Sequence, residues 1–144
     1  MRSIFCATVL SLLVLPTAWA QADVTATAAK EPGASVTASG LVYRSLKDGS
    51  GASPAATDTV KVHYRGSFPE GKEFDSSYKR NEPTEFPLKR VIACWTEGVQ
   101  KMKVGGKAKL TCPAAIAYGS RGAGGVIPPN ATLQFEIELL SITR

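Results

Sequence analysis

The sequence predicts an α+β domain, in which a bent antiparallel sheet packs one short helix on its concave face. Two observations carry this reading. Three separate stretches alternate apolar and polar side chains with period two, as half-buried strands do. Between them, one stretch repeats its apolar residues every three to four positions, as a helix does. The scale fits as well: 144 residues, 44% hydrophobic and 20% charged, suit one domain of ordinary size. That composition excludes a disordered chain, and 13 Gly with 9 Pro in no regular period exclude a collagen-like one.

In chain order, the N-terminus reads as an address. Arg2 supplies a positive charge, Ile4 to Leu15 carries none, and Ala18-Trp19-Ala20 closes the segment in the manner of a signal-peptidase site. Residues 1–20 are therefore expected to be a cleaved signal peptide. The apolar run is short for a bilayer and no basic cluster follows it, so no membrane anchor is expected. Removal of this segment takes Cys6 with it and leaves an even pair of cysteines, Cys94 and Cys112. Residues 21–39 are mostly Ala, Thr and Ser around Pro32-Gly33. They offer too little apolar surface to offset ordering entropy and read as a flexible tail, a docking helix being the alternative.

The domain proper is expected over 40–144. Val60, Val62 and Tyr64 share one face of a strand while Lys61, His63 and Arg65 share the other. Trp95, Val99 and Met102 fall on one helical stripe, with Glu97 placed for the first turn, Lys101 and Lys103 for the last, and Gly105-Gly106 as the stop. Ala108, Leu110 and Cys112 alternate with Lys107, Lys109 and Thr111, and Leu133, Phe135, Ile137 and Leu139 alternate with Gln134, Glu136 and Glu138. These segments give about five strands and one helix.

Chemistry-bearing residues are sparse. One His and three Cys are too few for a four-ligand zinc site or a disulfide-dense scaffold, so neither metal nor cofactor is expected. His63 alternates outward and reads as solvated surface. The glycine-rich run Gly119 to Gly125 lacks the Gly-Lys-Ser/Thr ending of a phosphate loop and leads into Val126-Ile127-Pro128, which cannot open the required helix. The net charge of +5, including Lys89, Arg90, Lys101, Lys103, Lys107 and Lys109, reads as solvated surface rather than a nucleic-acid footprint.

Six ordered motif blocks go further. Val62-His63-Tyr64-Arg65-Gly66, Gly71 to Ser77 (GKEFDSS), Val91 to Gly98 (VIACWTEG), Met102 to Leu110 (MKVGGKAKL), Ala117-Tyr118-Gly119, and Ile127 to Phe135 (IPPNATLQF) resemble the FKBP-type peptidyl-prolyl cis-trans isomerases. The resemblance runs from about Gly40 to Ile142. It implies a half-barrel sheet around one helix and an apolar pocket for a proline ring, lined by Tyr64, Phe74, Val91, Ile92, Trp95, Ile127 and Phe135, with Trp95 as its floor. It implies that the Ile92 N–H and the Tyr118 hydroxyl bind ligand carbonyls, that Asp75 accepts a hydrogen bond beside the pocket, and that the loop from Gly119 to Asn130 overhangs it. Tyr118, Asp75 and Ile92 are thus the expected catalytic residues.

The sequence departs from the family in four places. Thr84 stands where single-domain eukaryotic members carry an aromatic, Cys94 replaces the glycine usual before the tryptophan, Ala123 replaces a loop-tip histidine of some members, and the stretch from Phe86 to Trp95 is shortened, nearer the bacterial form. The resemblance further implies proline-containing peptides and unfolded exported proteins as substrates, and the macrolides rapamycin and tacrolimus as inhibitors. No nucleic acid partner is expected. With no long stalk helix between Ala20 and Gly40, a monomer is expected, exported to a periplasm or secreted. A chaperone-like module that grips Pro-containing segments with little turnover is the alternative.

The cysteines are read from position. Cys94 immediately precedes the helix and Cys112 shares the inward face with Ala108 and Leu110, so the two Cβ atoms can approach the roughly 3.8 Å of a bridge. A disulfide is expected; buried inert thiols, or a Cys94 thiol activated by the helix N-terminus, are the alternatives.

Overall fold

The computed structural model describes residues 24–143. The expected signal peptide over 1–20, Cys6 within it, and Arg144 lie outside the described residues. Seven strands form one antiparallel sheet: β1 (Ala34–Val36), β2 (Val42–Lys47), β3 (Thr59–Ser67), β4 (Glu73–Ser76), β5 (Thr84–Pro87), β6 (Lys107–Cys112) and β7 (Leu133–Thr143). Their order is β1-β2-β6-β7-β3-β4, and β5 also pairs with β3. The helix α1 (Ala93–Gln100) lies against this sheet.

The period-two segments become the inner strands, and their apolar faces become the core. Val60 and Val62 on β3, Ala108 and Leu110 on β6, and Leu133, Ile137 and Leu139 on β7 are all fully buried. On the other side of the core α1 contributes Cys94, Trp95 and Val99. The helix sits close to β6 because Gly98 has no side chain: a Cβ there would lie 2.8 Å from both Leu110 methyl groups. Burial of side chains of this size is worth roughly 1.5–3 kcal/mol each, so the helix is held mainly by this face.

The helix is shifted from the sequence reading. It begins two residues before Trp95 and ends at Gln100 with Lys101 as its C-cap. Glu97 therefore lies beyond the first turn and takes the Ser39 hydroxyl at 2.9 Å, while Lys103 falls outside the helix. The cause is the hydrogen bonding at its two ends. Thr96 Oγ1 donates to the Leu88 carbonyl at 2.6 Å, which anchors the first turn to the 310 turn Leu88–Arg90. At the other end the Lys101 and Met102 amides donate to Gly98 and Val99, three residues back, and tighten the chain out of the helix.

The expected flexible tail is also corrected. Residues 24–29 form a helical stretch, and β1 pairs with β2 through Ala34↔Arg44, Ser35↔Tyr43 and Val36↔Val42. Composition undervalues this segment because it is fastened by charge and sheet pairing rather than by large apolar groups. Glu31 bridges Arg44 (2.9 Å) and Lys109 (2.9 Å). The Lys109 ammonium holds the Glu31 carboxyl below its usual range against the opposing effect of burial. Lys109 is thus an ion-pair partner and not free solvated surface. His63 is likewise packed rather than merely solvated: Nδ1 lies 2.9 Å from Ser77 Oγ and its ring stacks on Tyr78 at 4.8 Å.

Cys94 and Cys112 are joined in a disulfide, with Cα atoms 5.9 Å apart and both residues buried. The bridge ties the first turn of α1 to the end of β6. No helix among the described residues is long and apolar enough to cross a membrane.

Candidate active site

Between α1 and the sheet opens a cavity of about 320 Å³ lined by Tyr64, Phe74, Asp75, Phe86, Arg90, Val91, Ile92, Trp95, Tyr118 and Phe135. Trp95 is its floor. The indole meets Tyr64, Phe86 and Phe135 edge to face at centroid distances of 5.3, 5.3 and 5.4 Å. Such geometry adds to area burial and fixes the rings as a rigid apolar cup. The Trp95 Nε1 is buried with no acceptor among the described residues. A stranded donor costs about 1–3 kcal/mol, which a leucine serving only as filler would avoid.

The strands set the walls. Tyr64 and Gly66 lie on β3, Phe74 and Asp75 on β4, Phe135 on β7. Gly66 is required where Phe74 and Phe135 cross it: a Cβ at that position would stand 2.6 Å from Phe74 Cζ and 3.0 Å from Phe135 Cε1. Without it the two rings meet at 5.7 Å. Val91 and Ile92 come from the short link between the 310 turn and α1. The Ile92 N–H has no acceptor among the described residues, and its carbonyl accepts from Trp95 and Thr96. A free donor therefore stands at the lip of an apolar cavity. Tyr118 is 40% exposed and lines the cavity from the loop that follows the 310 turn Ala114–Ile116. That loop is closed by the Asn130 N–H donating to the Gly119 carbonyl at 2.8 Å.

Asp75 is the electrostatic anchor. Its Oδ2 accepts the Tyr64 hydroxyl, while Oδ1 accepts from Arg80 at 2.8 Å and from the Ser76 amide at 2.9 Å. Arg80 also donates to the Tyr64 hydroxyl at 3.0 Å, and its guanidinium lies 5.8 Å from the Tyr64 ring centroid. Burial acts to raise the Asp75 carboxyl, but the hydrogen bonds from Tyr64, Arg80 and Ser76 outweigh it and hold the group below its usual range. Burial first, and then the bond to Asp75, push the Tyr64 hydroxyl up. Both groups thus keep one protonation state around neutrality, which suits a wall that orients and does not exchange protons.

A pH prediction follows from that direction. A carboxyl whose folded value is depressed contributes stability above its unfolded value, near 3.9, and loses it as pH falls through the folded value. Asp75→Asn should therefore be less stable than the parent at pH 7, and the gap should close on acidification below about pH 4. Urea midpoints of both proteins from pH 7 to pH 2.5 measure it; a gap that does not depend on pH would contradict the assignment.

The structure gathers eight of the nine residues expected at the site. Ile127 is the exception. It is 6% exposed and packs into the core, held by paired hydrogen bonds with Ala123. Ile127 belongs to the same buried cluster as Trp95, Tyr64 and Phe135 but is not among the residues that line the cavity. Three residues at the cavity lay outside the sequence reading of the site: Phe86 and Arg90 line it, and Arg80 braces Asp75 and Tyr64. Phe86 supplies the wall that Thr84 lacks, reaching Trp95 and Tyr64 from β5; its alternation with Leu88 was the available signal. Arg80 and Arg90 gave none, because a cation in a turn looks like any solvated charge until the fold places it, Arg80 by the Tyr64 ring and Arg90 on the cavity wall. No group of three or more His, Cys, Asp or Glu side chains among the described residues is placed to hold a metal ion.

Comparison with known proteins agrees with this geometry. Residues 51–140 match the domain family described as FKBP-type peptidyl-prolyl cis-trans isomerase. The chain is 54% identical over 116 residues to the FKBP-type peptidyl-prolyl cis-trans isomerase FkpA of Aeromonas hydrophila, covering 81% of this chain and 43% of that protein. It is 53% identical over 114 residues to the FKBP-type 22 kDa peptidyl-prolyl cis-trans isomerase of Escherichia coli, covering 79% and 55%. The chain thus spans about half the length of the curated relatives it matches. Among solved structures, FkpA from Escherichia coli superposes with a TM-score of 0.85 at 44% identity, covering 88% of this chain and 59% of that one. A peptidyl-prolyl cis-trans isomerase from Pseudomonas syringae pv. tomato does so at 0.83 and 38%, covering 90% and 98%. A profile match over most of the folded domain, with a shared fold at these identities, means that the chain belongs to the FKBP-type peptidyl-prolyl cis-trans isomerase family.

Proposed function

We propose that this protein is a peptidyl-prolyl cis-trans isomerase that assists the folding of exported proteins. The observation that carries the reading is the aromatic cavity floored by Trp95, with an unpaired N–H at its lip. Resonance gives the Xaa–Pro C–N bond partial double-bond character and a barrier of roughly 18–20 kcal/mol. The planar form separates charge, with negative oxygen and positive nitrogen; the twisted transition state loses that separation and is the less polar species. An apolar, water-poor cup binds the twisted form better than the planar one, and only such differential binding raises the rate. Each tenfold acceleration needs about 1.4 kcal/mol of this preference. The Ile92 N–H and the Tyr118 hydroxyl hold flanking carbonyls while one side of the bond rotates, so part of the barrier is met by positioning. No acid, base or nucleophile is called on.

Substrates are proline-containing segments of unfolded chains, and rapamycin and tacrolimus are the expected inhibitors of the same cavity. Export rests on the charged, apolar and Ala-x-Ala sequence of residues 1–20, and a periplasmic location on its compactness. A monomer is the expected state. A binding module with little turnover is the weaker reading, since Trp95, Ile92 and Tyr118 are all retained. Acceleration of cis/trans exchange in a short peptide with a large apolar residue before proline is the experiment that tests the proposal.

A further inference from the structure

We propose that Arg90 biases this cavity toward substrates that carry an acidic side chain immediately before or after the proline. The inference rests on the reading of the cavity as a prolyl site and names the substrate class it favours.

Arg90 lines the cavity and is exposed. Among the described residues it has neither an ion pair nor a side-chain hydrogen bond. The other charge on the cavity wall, Asp75, is already compensated by Arg80, the Tyr64 hydroxyl and the Ser76 amide. None of the acidic residues close in sequence, Glu82, Glu85 and Glu97, is ion-paired with Arg90 among the described residues, and Glu97 accepts from Ser39. The wall therefore presents one uncompensated cation in a cavity lined by six aromatic rings.

Its position ties that cation to the bound peptide. Arg90 ends the 310 turn Leu88–Arg90, two residues before Ile92, whose N–H lacks an acceptor. Arg90 and Ile92 thus share one short stretch of the cavity wall, and a peptide that gives a carbonyl to this N–H brings its neighbouring side chains to that stretch. A guanidinium offers two parallel donors that match a carboxylate, and it is weakly hydrated enough to do so beside apolar surface. For a solvent-accessible pair the gain corresponds to about two- to fivefold in affinity, and it is sensitive to salt.

The test uses the chain with two sets of otherwise identical peptides, bearing Glu, Gln or Lys immediately before or immediately after proline. Exchange spectroscopy gives the rate and peptide titration the Kd. The parent protein should favour Glu over Gln by about two- to fivefold, and disfavour Lys, in at least one set. The Glu/Gln ratio should fall to about one in Arg90→Gln, invert in Arg90→Glu, and shrink in 0.5 M NaCl. Lys47→Gln, on the distant strand β2, controls for the overall positive charge and should leave the ratio unchanged. Equal Glu/Gln ratios in the parent and Arg90→Gln, or an equal effect of Lys47→Gln, overturn the proposal. If no peptide is accelerated, the isomerase reading fails, and the Kd ratios alone decide the role of Arg90.

Discussion

Trp95→Ala is expected to lower kcat/KM on Xaa–Pro peptides by at least tenfold and to destabilise the domain by about 3–5 kcal/mol. The residue is 4% exposed and touches three rings edge to face, so truncation removes the cavity floor and opens a void beneath Tyr64, Phe86 and Phe135. A loss of activity caused only by unfolding would be uninformative, so Trp95→Phe is the companion variant. It keeps an aromatic floor and discards the stranded Nε1 donor. It should remain folded at 25 °C and lose less activity than the alanine variant. Peptide exchange rates and urea unfolding of the two variants check both halves. Full activity in a folded Trp95→Ala protein would remove Trp95 from the site.

The second large effect concerns the disulfide. Cys94→Ala with Cys112→Ala should destabilise the oxidised protein by about 3 kcal/mol, the chain-entropy value for a loop of the observed separation of 18 residues. For a domain of this size the melting temperature should fall by on the order of 10 °C. The bridge ends one residue before Trp95, so its removal also loosens the floor and should raise KM along with the loss of stability. Intact mass after alkylation of the unfolded, unreduced protein provides the direct check: no alkyl group should be added at Cys94 or Cys112. Two added groups would mean free thiols and no bridge.

The parts of this structure that were legible in the sequence are those written in local pattern. Alternation in Val60–Arg65, Lys107–Cys112 and Leu133–Leu139 exposes one face of each strand to the core, and such a face is visible without knowing its partners. The cysteine pair was legible for the same reason, since Cys94 at a helix start and Cys112 on an inward face are local facts. Ordered motif blocks located Tyr64, Phe74, Asp75, Trp95 and Phe135.

What stayed hidden depends on contacts between distant segments. Glu31 gathers Arg44 and Lys109 across the sheet, and nothing near residue 31 announces it. The helix boundaries moved because Thr96 binds a carbonyl eight residues back, a tertiary constraint that outweighs the placement of charges along the helix. Phe86 builds from β5 the wall that Thr84 does not, and only the pairing of β5 with β3 brings its ring to Tyr64 and Trp95.

The most direct measurement of the central claim is cis/trans exchange of an apolar-Xaa–Pro peptide, followed by exchange spectroscopy with catalytic amounts of the protein from pH 6 to pH 8.5. Uncatalysed isomerisation takes roughly 10–100 s at 25 °C. A cavity that works by favouring the twisted, less polar imide should bring exchange below one second, with no dependence on pH across this range and no solvent isotope effect, because no proton moves. Exchange that stays at tens of seconds would contradict the isomerase reading, and a rate that titrates near neutrality would contradict the mechanism.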